Sequence, residues 1–174
     1  MAKTKVLNVG KVTKALEAKF SSWTKDEAEM DSVATIMRSE LVANLRDGYG
    51  SDDTPLPSLK SSTIKKRAEL ERAGNKTHSS YFDSFSNATF SGKLVQALKV
   101  TAIRTAYLGR RQFWFQYLGT HQGYKQRNGT VSKSVANSEI AQGLSSRGWK
   151  LTGVTKKAEN RIRTRFIRFI RRKK

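Results

Sequence analysis

Along the first half of the chain the apolar residues recur with a helical period. Val12, Leu16 and Phe20 stand four apart, with Ala15 and Trp23 close to the same face. Met30, Val33, Ala34, Met37, Leu41, Asn44 and Leu45 then form a stripe at i, i+3, i+4 and i+7, the mark of an amphipathic helix. Thr24-x-x-Glu27 has capping-box spacing, so the pattern predicts a helix over residues 25–46, stopped by Gly48. Its acidic first turn (Asp26, Glu27, Glu29) suits the positive end of the helix dipole. Such a stripe serves either as a partner groove or as a face packed on its own core, and the rule for surface helices favours the core.

The middle of the chain is less regular. Residues 48–60 form a long loop holding both prolines, Pro55 and Pro57, which force extended backbone on their neighbours. A short polar helix is expected over 62–73, with Gly74 as its C-cap. Residues 75–90 alternate Ser, Asn and Thr with aromatic rings, too aromatic for a solvated linker. Ser91 then caps a short helix over 92–97. From there the period changes to two. Residues 100–107 and 113–118 (FWFQYL) read as strands around a Gly109-Arg110-Arg111 turn, a hairpin that needs at least one more strand. Residues 119–137, with Gly119, Gly123 and Gly129, are a long loop or a ragged hairpin. Ser138 caps a helix over 139–146, closed at Arg147-Gly148, and a last helix starts near Thr155. Helices, then strands, then helices indicate one α+β domain over residues 1–174. The expected architecture is N-terminal helices packed on a small antiparallel β-sheet, with a basic amphipathic C-terminal helix over 155–174. Residues 1–10 form a flexible basic arm.

Charge changes this picture more than composition does. Residues 1–98 carry 15 Lys and Arg against 12 acids, whereas residues 99–174 carry 19 against 2. The last fourteen residues hold eight Lys or Arg and no acid. One end of the molecule is therefore expected to attract a polyanion. A net charge of +20 also strains a lone subunit by self-repulsion, which a partner or an oligomer would relieve. There is no Cys, which excludes disulfides, Cys-ligated zinc and a thiol nucleophile. No apolar run approaches the ~20 residues of a membrane span, and the N-terminus has no signal-peptide core, so a soluble intracellular product is expected.

In the last segment Ala158, Ile162, Phe166, Phe169 and Ile170 share one helical face, and Arg161, Arg165, Arg168 and Arg172 share another. Three readings compete. The apolar face docks on the body while the arginines meet phosphate, to which their forked donors are suited; or the helix lies on an anionic membrane; or the arginines are a solvated face. The membrane reading is the weakest, because the apolar face is short and lacks Trp. Contact with nucleic acid would be to its backbone, neutral to sequence and steeply dependent on salt.

Catalytic chemistry is scarce. His78 and His121 are the only histidines, and neither has metal-ligand spacing. His78 lies among Ser79, Ser80 and Ser84, but serine is abundant there by composition. Asp52-Asp53, in a Pro/Gly loop, reads as a solvated pair rather than a chelate. Phosphate-binding glycine motifs are missing, and the basic half holds only Glu139 and Glu159, too few for a two-metal nuclease. No enzyme, metal or cofactor is expected.

The segments PLPSLKSSTIKKRAELERAG (residues 55–74) and FSGKLVQALKV (residues 90–100) resemble the tail-completion or virion-morphogenesis proteins of tailed phages, which are head–tail joining components. SEIAQGLSSRGWKLTGVT (residues 138–155), followed by a basic helix, is similar to that family's closing segment. The resemblance implies a small, non-catalytic α+β virion protein, made in the host bacterial cytoplasm. Such a protein assembles as a ring, six- or twelve-fold, at the neck or the top of the tail, against portal-side or tail proteins and around double-stranded DNA. Arg161, Arg165, Arg168 and Arg172 would then line the lumen. Ile64 and Leu70 on the polar helix, with Tyr81, Phe82 and Phe85, would form the subunit interface. The alternatives are a sequence-neutral nucleic-acid-binding protein, or a tail-terminator or minor capsid component.

Overall fold

A computed structural model describes residues 9–57, 61–62, 64–65, 93–104, 111–121 and 133–172. Its elements are α1 (Val9–Lys25), α2 (Glu27–Arg46), α3 (Lys93–Gln96), β1 (Leu98–Arg104), β2 (Arg111–Tyr117), β3 (Thr120–His121), β4 (Val135–Ala136), α4 (Asn137–Ser145) and α5 (Lys156–Arg172). The protein is an α+β fold, and helix α2 is its centre.

Helix α2 forms where the stripe predicts it, but its cap lies two residues further on. Asp26 is the N-cap, and its carboxylate accepts the Glu29 N–H at 3.1 Å. Asp26-x-x-Glu29 has the same spacing as the expected pair, and Thr24 is occupied elsewhere. Its hydroxyl donates to the Ser21 carbonyl, inside the last turn of α1. Met30, Val33, Ala34, Met37, Leu41 and Leu45 are all buried, so the stripe is a core face. Gly48, at φ 84°, breaks the helix with a conformation that glycine adopts without penalty.

Strands β1 and β2 pair antiparallel with Leu98 opposite Tyr117 and Ala102 opposite Phe113. Alternation sends Val100, Ala102, Phe113 and Phe115 toward the helices, while Trp114 stays exposed. β1 begins two residues earlier than its alternation suggests, and β2 also begins two earlier; residues 105–110 lie outside the described ones. The third strand expected for this hairpin is not among the described residues. Helix α2 covers the sheet instead, which meets the same need for an apolar cover. Arg111 fastens the start of β2 to the helices, donating from Nε to the Thr24 carbonyl at 2.8 Å.

Of residues 119–137 the two ends pair antiparallel, Thr120 opposite Ala136 and His121 opposite Val135, and residues 122–132 lie outside the described ones. Helix α4 begins at Asn137 rather than after Ser138, and no side chain caps it. Asn137 is buried and instead spans to the Leu118 carbonyl at 2.7 Å.

The core has two lobes joined through the sheet. Leu41, Leu45, Leu98, Tyr117, Trp149 and Leu151 build the first, around the C-terminal half of α2. Trp23, Met30, Val33, Met37 and Phe169 build the second, where α5 docks. Val100 and Phe115 pack against both.

Candidate nucleic-acid interface

The start of α5 is fixed by two caps, one local and one distant. Thr155 is fully buried, and its hydroxyl accepts the Ala158 N–H at 3.1 Å, a short-range N-cap. Asp53 accepts the Lys156 N–H at 3.0 Å and the Asn44 amide at 2.6 Å. The Lys156 N–H bond, then that from Asn44, holds the Asp53 carboxyl below its ordinary range. Asp52 accepts from the Thr54 N–H and hydroxyl. The acidic pair is thus a folding device, and the expectation of a merely solvated pair is corrected for Asp53. The same loop grips the chain ahead of α5. Ser51 donates from its hydroxyl to the Thr152 carbonyl at 2.6 Å and from its N–H to the Lys150 carbonyl at 2.8 Å. Gly153 permits this approach: it sits at φ 135°, and a Cβ there would lie 2.8 Å from Ser51 Oγ.

The apolar face of α5 then buries Ala158 and Phe169 and half-buries Ile162, Phe166 and Ile170. Phe166 lies 4.9 Å from the Trp23 ring and meets Phe20 edge-on at 5.5 Å. Lys19 Nζ reaches the Ile170 carbonyl at 3.5 Å, near the negative end of the helix. With residue 19 beside 170 and 23 beside 166, α1 and α5 run antiparallel.

The four arginines expected to face phosphate do share one groove. About 390 Å³ of space lies between α2 and α5, lined by Glu29, Ile36, Arg161, Arg165, Arg168 and Arg172 among others. Two of the four are already engaged. Arg161 hydrogen-bonds Glu40, which Lys157 also approaches at 3.4 Å. Arg165 donates to Glu29 at 2.6 Å, on the oxygen that also accepts Trp23 Nε1 at 3.3 Å. None of Arg163, Arg168, Arg171 and Arg172 pairs with an acid among the described residues. The row is therefore divided. Its first half is tied to α2, and its second half, toward the C-terminal end of α5, is open.

Glu40 is the residue that sequence reasoning missed. It is buried in the α2 stripe between Met37 and Leu41. Burial works against its charge, but the Arg161 hydrogen bond and the nearby Lys157 outweigh it and leave the carboxyl below its ordinary range. An acid on an apolar face was the available signal, because buried carboxylates require partners.

The expected subunit interface is barely covered. Ile64 is half-buried in a short helical stretch, and Leu70, Tyr81, Phe82 and Phe85 lie outside the described residues, as does His78. His121 lies on β3, and among the described residues no group of three or more His, Asp or Glu could hold a metal. A different apolar surface emerges. Every residue from Gly10 to Ala18 of α1 is exposed, and Val12, Leu16 and Phe20 keep 41, 48 and 51% of their surface. Val12 and Leu16 lie on α1 ahead of Lys19, where the helix meets the C-terminal end of α5. Among the described residues no helix is long and apolar enough to cross a membrane. No family model, curated protein or solved structure matches the chain.

Proposed function

We propose that the chain is a structural virion protein of a tailed bacteriophage, a neck or tail-completion component that joins the DNA-filled head to the tail and assembles as a ring around the DNA channel. The observation that carries this reading is the pairing of two surfaces at one end of the subunit: the exposed apolar positions Val12 and Leu16 of α1 and the open cationic end of α5. Most of a protein helix's stability comes from packing of its apolar face. Val12 and Leu16 give α1 a face that a neighbour would bury. A cationic end beside an association surface is the arrangement a ring needs to line a lumen with positive charge. The sequence resemblance to head–tail joining proteins supports the same assignment. Closed assembly requires a heterologous interface, with two different patches on each subunit.

The test is the particle mass of the purified chain at moderate salt, with negative-stain images of the same sample. Rings of six to twelve copies are expected. A chain that stays monomeric, with or without duplex DNA, and binds that DNA one subunit at a time would replace this reading with a sequence-neutral nucleic-acid-binding protein.

A further inference from the structure

We propose that Glu29 and Glu40 of α2 are built-in counterions that occupy the first half of the α5 arginine row, leaving Arg168 and Arg172 as the contacts for nucleic-acid phosphate, so that the groove holds a polyanion weakly. The proposal rests on reading α5 as the DNA-facing element and specifies how that element works.

Three observations carry it. The acids and the arginines line or border one groove, so an entering phosphate and a glutamate would compete for the same guanidinium. The glutamates hold the better position, since the Glu40 and Glu29 side chains keep only 7 and 15% of their surface, while Arg161 keeps 54%. Pairing in a half-buried site is screened less than pairing with a solvated phosphate. Arg168 and Arg172 lie one turn further on, about 6 Å apart along the axis, and neither pairs with an acid among the described residues. Weak holding suits a channel, because DNA gripped along a whole arginine row would not pass.

Counterion release turns this into a measurement. Each phosphate contact steepens the dependence of log affinity on log salt by about 0.9. Two contacts from one protomer imply about a 12-fold loss of affinity between 50 and 200 mM salt, and four imply about a 150-fold loss. The experiment titrates the full-length chain into a mixed-sequence duplex at several salt concentrations, with particle mass and circular dichroism recorded for every variant. The double variant Arg168→Gln, Arg172→Gln is expected to lower the slope by about 1.8, while Arg161→Gln, Arg165→Gln leaves it nearly unchanged. Glu29→Gln, Glu40→Gln is expected to tighten binding and move the slope toward the four-contact value. Should that variant fold poorly, Glu29→Gln alone is expected to give part of the gain, because it releases Arg165. Equal losses from the two arginine pairs would overturn the proposal, and so would folded acid-to-amide variants that bind as the wild type does. A wild-type chain that forms rings yet binds no duplex even at 50 mM salt would also overturn it, while leaving the joining role standing.

Discussion

Replacing Glu40 by Leu tests whether α5 is held on α2 by charge or by packing. Two attractions are lost. Lys157 keeps 71% of its side-chain surface, so its pairing is worth no more than about 0.5 kcal/mol. The Arg161 bond is charge-assisted and would be worth about 1.5–3 kcal/mol if fully protected. Because Arg161 is 54% exposed, solvent screening brings it to the lower end. The total is about 2 kcal/mol. Against it stands the cost of burying a carboxylate, several kcal/mol per ion in real proteins, which leucine does not incur. Both cations reach water once the acid is gone. The expected result for Glu40→Leu is therefore a stability within about 1 kcal/mol of wild type, about 2–4 °C in melting temperature for a chain of this size. Glu40→Ala also leaves unfilled space at this buried position and is expected to cost about 1–2 kcal/mol more.

Acid sharpens the comparison. The Glu40 carboxyl is depressed from its ordinary 4.5 in the folded protein. Its contribution is thus complete above the unfolded value and is lost as pH falls through the folded one. Below pH 4.5 the gap between wild type and Glu40→Leu should move in favour of the variant. Urea titrations at pH 7, 5, 4 and 3 read both effects. A loss of more than about 3 kcal/mol for Glu40→Leu at pH 7 would exceed what screened pairs supply and refute the argument. A gap that stays flat down to pH 3 would refute it as well.

Two further substitutions separate assembly from folding. Leu16→Glu lies on the exposed stripe of α1, so it should change unfolding by less than about 0.5 kcal/mol while lowering particle mass; an unchanged mass would remove α1 from the interface. Tyr117→Phe deletes a buried 2.6 Å hydrogen bond from the Tyr117 hydroxyl to the Leu151 carbonyl. It should cost about 1–3 kcal/mol in urea unfolding, with no change in DNA affinity, since the bond lies in the other lobe of the core.

Periodicity carried much of this fold. The α2 stripe, the alternation of β1 and β2 and the two faces of α5 all follow from spacing along the chain, because each depends on a residue's immediate neighbours. What spacing does not carry is the identity of the cover. The stripe of α1 has the same form as that of α2, yet one is buried and the other stands largely in solvent. The difference lies in where α5 ends, more than 150 positions away. Glu29 and Arg165 are 136 apart in sequence, Glu40 and Arg161 are 121 apart, and Asp53 caps a helix 103 residues later. Of these only Glu40 leaves a trace in the sequence, an acid where an apolar residue belongs.

On the proposed function, the divided arginine row would also link assembly to DNA. If subunits associate through α1, they bring together the open ends of α5, each carrying Arg168, Arg171 and Arg172, none paired with an acid among the described residues. Like charges converging within a Debye length, about 10 Å at 0.1 M salt, oppose closure. A polyanion threaded between them removes that opposition. Assembly and DNA binding must then promote each other by the same factor, since coupling free energies are reciprocal. The link predicts that a short duplex raises ring yield at 50 mM salt and has little effect at 500 mM, where the repulsion is already screened. Arg168→Gln, Arg172→Gln should form rings at low salt without DNA. Particle mass with and without duplex reads both, and ring yield indifferent to DNA and to these substitutions would mean that the cationic ends do not meet.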